Sequence, residues 1–321
     1  MAPDHPWWDE RSRSGPDARG SRRGTPKRID YSNLGLPRSR RLQPTAQRWG
    51  GRDQRGSGRA TPSMDYLVGT MRIAALYDIH GNLRALEAVL AEVEEYAPDR
   101  ILIGGDMALG PMPREVLERL ETLGSRAVYV RGNCDREMVA ALGGEFAHAT
   151  PWGTRTRWAA ERCTIAQMRL LAGLPTTLTL AVDGLGDVLF CHGSPRRDDE
   201  ILTRVSSPQR LRVALAGRNL PRVVHGHTHV QYERTVGTTH WICPGSVGIP
   251  YESEPGARWA TFGPGVTLRC TPYDIERTIA DARAVKFPDA DEFIENYLRK
   301  PSGPDKASVY FESLAEGAKS V

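Results

Sequence analysis

Met71-Arg72-Ile73-Ala74-Ala75-Leu76-Tyr77-Asp78-Ile79-His80-Gly81-Asn82-Leu83 is the stretch that decides the fold. Residues 72–77 make a strand-like apolar run, and the period then changes, with Leu83, Leu86, Val89, Leu90 and Val93 at helical spacing. Asn82 suits a helix N-cap, and Gly81 permits a tight strand-to-helix turn. Asp78 and His80 are thereby placed at the carboxyl end of a strand, above a helix N-terminus that favours anions.

The same punctuation recurs outward from this stretch. Residues 100–103 read as a strand ending in Gly104-Gly105-Asp106, followed by a Pro-rich loop and a helix over 113–123. Residues 127–130 are the next strand, ending in Gly132-Asn133-Cys134-Asp135, with helical segments over 135–142 and 155–172. Strands alternating with helices indicate an α/β fold with parallel character. The second half is richer in strands. Residues 177–182 and 187–191 flank Asp183-Gly184, a hairpin turn, and the second of them ends in Cys191-His192-Gly193. A charged loop (Arg196, Arg197, Asp198, Asp199, Glu200) leads to a helix over 208–216. Val223-Val224 then runs into His225-Gly226-His227-Thr228-His229, and strands follow at 230–236, 239–242, 257–262 and 265–271. Two sheets face to face with helices outside fit this order. From Tyr273 the chain reads as helical, while its last twenty residues carry no strong pattern. The expected organisation is a disordered basic extension (1–70), one domain (71–272) and a C-terminal helical extension packing on it (273–321).

Composition narrows the classes. With 321 residues, 40% of them apolar, the chain can bury a sizeable core. No run approaches the length of a membrane span, and the first thirty residues lack an apolar signal region, so a cytoplasmic protein with no membrane partner is expected. Five cysteines without a CxxC pair suggest reduced thiols. The net charge of +4 hides an asymmetry: residues 1–63 hold fourteen Lys/Arg against six Asp/Glu, so the remainder is mildly acidic. That tail is rich in Arg, Gly, Ser and Pro, has no apolar period, and cannot bury enough surface to offset its ordering entropy. The high isoelectric point belongs to the tail and says nothing of the domain's ligands.

Five clusters end strands: Asp78/His80, Asp106, Asn133, His192 and His227/His229. A lone His-x-His reads more readily as a solvated polar loop than as a metal site, but ligands in open α/β sheets gather at the carboxyl ends of strands, and here five clusters meet that condition. Seven oxygen and imidazole donors suffice for two divalent ions, with the Asp106 carboxylate as the natural bridge and Asn133 offering a neutral amide oxygen. No thiolate is needed, so the set suits Mn, Fe or Zn rather than a sulfur-rich structural site. Two ions about 3.5–4 Å apart serve in-line displacement at phosphorus by a metal-held hydroxide especially well.

Asp-x-His at 78–80, Gly-Gly-Asp at 104–106, Gly-Asn-Cys-Asp at 132–135, His-Gly at 192–193 and Gly-His-Thr-His at 226–229, with Ser-Val-Gly at 246–248, resemble the calcineurin-like metallophosphoesterase superfamily. The likeness is to its small prokaryotic phosphodiesterase branch with the Gly-Asn-Cys-Asp motif. The resemblance implies a four-layer α-β-β-α sandwich of two facing mixed sheets. It implies Asp78, His80, Asp106 and His229 on one metal, and Asp106, Asn133, His192 and His227 on the other. Two divalent ions are expected, Mn²⁺ first, with Fe, Zn, Ni and Mg as alternatives. Asn133, Cys134, Asp135 and His192 are the candidate catalytic group. Two positions depart from the pattern. Many relatives carry a His where Cys134 stands, assisting the leaving group with the aspartate behind it, and many carry Asn where Cys243 stands.

The expected activity is hydrolysis of small phosphodiesters, with a nucleotide or nucleic-acid substrate and a homodimer left open. A phosphomonoesterase or protein phosphatase is the alternative enzyme, which Cys134 disfavours. A non-catalytic scaffold on this fold is expected to lack ligands, whereas all seven are present. Nucleic-acid binding through the basic arm predicts steep salt dependence. Starting the chain at Met71 is expected to leave turnover of a small synthetic phosphodiester within about twofold, because the removed residues carry no core or site signal. A larger loss in a folded truncation would show that the arm takes part. Of the remaining residues, His225 reads as a buried neighbour of the ligands, His148 and His240 as ordinary surface or sheet residues, and Cys191 as a small buried side chain. Arg136 suits either a phosphate contact or an ion pair, and Asp198, Asp199 and Glu200 read as a solvated loop.

Overall fold

The computed structural model describes residues 71–143 and 151–317. The expectations for residues 1–70 and for His148 lie outside that range. The stretch that opens the domain folds as read: β1 (Ile73–Leu76) is buried throughout and passes through the Asp78–Asn82 turn into α1 (Leu83–Tyr96). Asn82 caps α1 with its side-chain oxygen, which accepts from the Ala85 amide at 3.1 Å. The pattern continues with β2 (Arg100–Ile103), α2 (Pro113–Glu121), β3 (Ala127–Tyr129), α3 (Asn133–Leu142), α4 (Pro151–Ala160) and α5 (Ile165–Gly173). The second half supplies β4 (Thr177–Val182), β5 (Gly186–Cys191), α6 (Pro208–Ala214), β6 (Arg222–Val224), β7 (Tyr232–Val236), β8 (Thr239–Cys243), β9 (Ala257–Phe262) and β10 (Val266–Thr271). The C-terminal part holds α7 (Ile275–Ala284), α8 (Ala290–Phe293) with a π-helical continuation (Ile294–Arg299), and α9 (Pro304–Gly317).

The strands form two mixed five-stranded sheets, in the orders β10-β9-β1-β2-β3 and β4-β5-β6-β8-β7. β1, β2 and β3 run parallel, as do β5, β6 and β8, so the functional turns at their carboxyl ends rise on the same side of each sheet. Period-2 alternation sorts the side chains. Ile73, Ala75, Tyr77, Leu102, Ala260 and Phe262 of the first sheet interleave with Val188, Phe190, Val224 and Ile242 of the second. Phe190 and Phe262 meet edge to face, 5.6 Å between centroids. On the outer face of the second sheet, Leu189, Cys191, Val223 and Trp241 pack against Leu211 and Ala214 of α6. Helix α1 packs on β9 and β10 and on α7. The result is a sandwich of two facing mixed sheets with helices on the outside.

Two expectations need correction. The helix read over 155–172 is two helices, because Thr164 starts a new one: its hydroxyl accepts from the Gln167 amide while the Gln167 side chain accepts from the Thr164 amide, a reciprocal cap. The terminal residues read as patternless include α9, which docks by long-range contacts. Phe311 packs on Tyr251, 5.9 Å between centroids, and Glu312 pairs with Arg210 at 2.7 Å. Among the described residues no helix is long and apolar enough to cross a membrane.

Candidate metal centre

Backbone hydrogen bonds between the strand-end turns bring the predicted donors together. The Asp78 amide donates to Gly105 O (3.1 Å), the His80 amide to Asp106 O (3.0 Å) and the Gly226 amide to His192 O (2.8 Å). The Ser-Val-Gly motif closes the other side: Ser246 Oγ donates to Asp78 O at 2.7 Å, and the Gly248 amide bonds the same carbonyl. Such close approach excludes side chains. A Cβ on Gly105, whose φ is +94°, would meet Gly132 N at 2.5 Å and His192 Nδ1 at 2.8 Å. A Cβ on Gly132 would meet Asp106 Oδ1 at 2.0 Å.

The turns bend sharply enough to leave the common regions of backbone space. Nine non-glycine residues among those described have positive φ, and five of them are the candidate donors Asp78, His80, Asp106, His227 and His229. Each such residue costs on the order of 1–3 kcal/mol and persists only where the surroundings hold it.

The donor atoms fall into buried, overlapping groups, two of which are made of candidate donors alone. Donor atoms of Asp78, His80 and His229 lie within 4.8 Å of one another, and those of Asp106, His192 and His227 do likewise. Asp106 Oδ2 spans them, 3.2 Å from His192 Nε2 and 3.8 Å from His80 Nε2. Asp78 Oδ1 lies 3.3 Å from His229 Nε2 and 3.7 Å from His192 Nε2. Three imidazoles bond backbone carbonyls through Nδ1: His80 to Leu109 O (3.1 Å), His192 to Gly104 O (2.9 Å) and His229 to Ile249 O (3.1 Å). A carbonyl can only accept, so each Nδ1 carries a proton and each Nε2 is the nitrogen turned to the site.

The arrangement fits cations. Asp78 Oδ1 and Asn133 Oδ1 are buried and accept no hydrogen bond. His80 Nε2 and His229 Nε2 face each other at 3.2 Å, a contact that two lone pairs tolerate only with a positive charge beside them. Burial, then His229, push the His80 imidazole down to about 4. Burial also acts to lower His192, but Asp106 and Asp78 outweigh it and push that imidazole up to about 10. Asp106 is correspondingly held well below the usual carboxylate range: burial opposes its ionisation, and His192, His80 and Cys134 overcome it. The carboxylates thus hold a proton on His192 where a cation would otherwise balance them. Because that proton stays on through neutral pH, uptake of divalent ions at pH 7 is expected to release about one proton. Apparent affinity should then rise roughly tenfold per pH unit towards pH 10. Calorimetry in buffers of different ionisation heat measures this release directly; uptake with no proton released would contradict it.

Cys134 and Asp135 both hold the Asp106 turn. The Cys134 thiol is fully buried and donates to Asp106 Oδ2 at 2.8 Å, while its amide donates to Asp106 Oδ1 at 2.8 Å. The structure thereby adds a thiol beside the donors, grouped with His80 and Asp106, where the sequence reading required none. The Asp135 carboxylate accepts from the amides of Asp106 (2.9 Å), Met107 (3.1 Å) and Gly132 (2.8 Å). It clamps the Asp106 turn to the start of α3, and burial with the nearby Asp106 charge pushes its carboxyl up to about 6.

The charged loop is a further correction. Asp198 is only 8% exposed and receives a forked pair from Arg136 (Nε 3.0 Å, Nη2 3.0 Å) and a longer one from Arg131 at 3.4 Å. It is an internal tie between the His192 loop and α3, not a solvated segment. His225 is buried as expected and bonds Tyr232 Oη at 2.7 Å, and His240 pairs with Glu233 in the sheet. Sequence reasoning missed Tyr251, whose ring stacks on His229 at 5.3 Å and 15°.

A family model described as the calcineurin-like phosphoesterase superfamily domain matches residues 71–262. The chain belongs to this superfamily. Phosphodiesterase YfcE of Escherichia coli is 27% identical over 196 residues, covering 58% of this chain and 85% of that protein. The solved structure of a metallophosphoesterase from Sphaerobacter thermophilus shares 28% identity, covers 70% of this chain and 97% of its own, and superposes with a TM-score of 0.55. A Pyrococcus horikoshii protein shows the same fold at 19% identity, with a TM-score of 0.63 over 70% of this chain and 98% of its own. In this superfamily member the matched segment runs from β1 through β9 and so contains every candidate donor.

Proposed function

We propose that this calcineurin-like phosphoesterase hydrolyses small phosphodiesters, nucleotide-type diesters included, with two divalent ions that share Asp106. The observation that carries the proposal is the pair of buried donor groups with the Asp106 carboxylate between them. The likeness to a protein named a phosphodiesterase supports the choice of substrate class. Asp78, His80, Asp106 and His229 would hold one ion; Asp106, Asn133, His192 and His227 the other. Bound there, the ions would supply Lewis-acid polarisation of a phosphoryl oxygen and a lowered pKa for an attacking water.

The chain's own residues do the rest. The Nδ1 bonds from His80, His192 and His229 fix each ring's tautomer and direction and make Nε2 a better donor. Cys134 fixes both oxygens of Asp106, through its amide and its thiol. Asp135 ties the Asp106 turn to the helix that begins with Asn133. The pocket of donors is buried, so these fixed groups replace bulk water as the environment of the reacting phosphorus.

The test is a substrate panel on the full chain. Bis-p-nitrophenyl phosphate, cyclic and linear nucleotide diesters, p-nitrophenyl phosphate and a phosphopeptide are each assayed with Mn²⁺, Fe²⁺, Zn²⁺, Ni²⁺ and Mg²⁺. Diesters should be turned over, with Mn²⁺ the best activator and chelation abolishing the rate. Preference for monoesters would favour the phosphatase alternative, and two bound ions with no turnover of any ester would favour a scaffold.

A further inference from the structure

We propose that Glu137 is the positioning residue that turns the Asn133 amide so that its oxygen, not its nitrogen, faces the second donor group, and that Trp152 fixes Glu137 for this role. The inference rests on the dinuclear reading above.

An asparagine side chain ends in an oxygen and an NH₂ of nearly equal size. Only the oxygen can ligate a cation, so a half-turn of the amide converts a ligand into a repelling donor. What decides the orientation is the hydrogen-bonding partner on the other side. Asn133 opens α3 and is fully buried, and its Nδ2 donates to Glu137 Oε1 at 3.3 Å, one helical turn along the same face. A second, longer contact runs from Nδ2 to Cys134 Sγ at 3.5 Å. Asn133 Oδ1 is then the amide atom that is buried without a hydrogen bond.

A carboxylate accepts and an indole N–H donates, so the polarity of this chain of bonds cannot be reversed by side-chain rotation. Glu137 Oε2 accepts from Trp152 Nε1 at 2.7 Å, across from α4. Glu137 is 5% exposed and Trp152 2%, so both bonds lie in a dry environment where a mismatched pair is expensive. Any residue at 137 that could donate toward Asn133 would remove the selection. Glutamine does this with almost no change of shape. With Trp152 present, a glutamine oxygen is drawn to the indole N–H, leaving the glutamine NH₂ to face Asn133 and pull Oδ1 away from the metal site.

The experiment is calorimetric titration of the metal-free full chain with Mn²⁺, for the wild type, E137Q, W152F and the E137Q/W152F pair, with thermal melts to show that each is folded. E137Q is expected to weaken the second ion about 10–100-fold, the range typical for loss of a ligand's outer partner, while the first ion is held. Removing the indole donor frees the glutamine to rotate, so E137Q/W152F should recover about tenfold of second-ion affinity relative to E137Q. A merely structural role predicts the opposite order, with the pair worse than E137Q. If E137Q does not fold, E137D, which keeps the charge but withdraws the acceptor by one methylene, should also weaken the second ion. Wild-type affinity for both ions in E137Q, or a double variant weaker than E137Q, would overturn the inference and leave the dinuclear reading standing. A wild type that takes up only one ion would overturn that reading and the inference with it.

Discussion

Asp106→Asn should leave a folded protein that holds neither ion tightly and hydrolyses phosphodiesters at least about 10³-fold more slowly, beyond the roughly 10–100-fold typical for loss of an outer partner. The oxygen of Asp106 that lies between the two donor groups, Oδ2, is also the acceptor of the Cys134 thiol. Replacing one carboxylate oxygen with NH₂ removes a charge from both groups at once and aims a donor at imidazole lone pairs. The fold should survive, because the backbone amide at 106 keeps its bond to Asp135 and the turn keeps its bond to the His80 amide. Metal analysis of the purified variant alongside kcat/KM is the check. Loss of one ion with the other bound as in the wild type would show that Asp106 serves a single site.

The second large effect is in the leaving group. Turnover by the wild type should fall steeply along a diester series as the leaving alcohol becomes more basic. A positioned imidazole typically contributes about 10²–10⁴-fold where a proton must be delivered as the bond breaks. Position 134 holds instead a thiol, a weak donor, and it is directed at Asp106 Oδ2. Cys134→Ser keeps a donor to Asp106 and should leave the slope of the series unchanged. Cys134→His should flatten the slope by speeding alkyl esters selectively. Uniform slowing of all esters in the His variant would show instead that residue 134 serves only to hold Asp106 in place.

What could be read from the sequence was local, and what could not was remote. The switch from a period of two to a period of 3.6 around Asp78-Ile79-His80-Gly81-Asn82 placed both donors at a strand end, and β1, the Asn82 cap and α1 follow it closely. Six of the seven candidate donors gather because four separate turns end strands of parallel character, a rule that needs no long-range information. Asp198 was misread because its partners Arg131 and Arg136 come from another helix and its approach, more than sixty residues earlier. Helix α9 carries no strong period of its own for the same reason: what orders it is Tyr251 under Phe311 and Arg210 opposite Glu312. Two further signals are local and stand in the sequence itself. Thr164 followed by Gln167 announces a helix start inside an apparent helix, and Glu137 four residues after Asn133 announces a partner for its amide.

The left-handed backbone at Asp78, His80, Asp106, His227 and His229 has an evolutionary consequence. Glycine adopts that conformation without steric penalty, and at these buried turns it would also remove a charge or an imidazole that only a cation balances. A lineage released from selection for hydrolysis could therefore exchange donors for glycine and gain stability with each step. Drift on this scaffold runs downhill from enzyme to inert binding platform, and the return path climbs against both backbone and electrostatics.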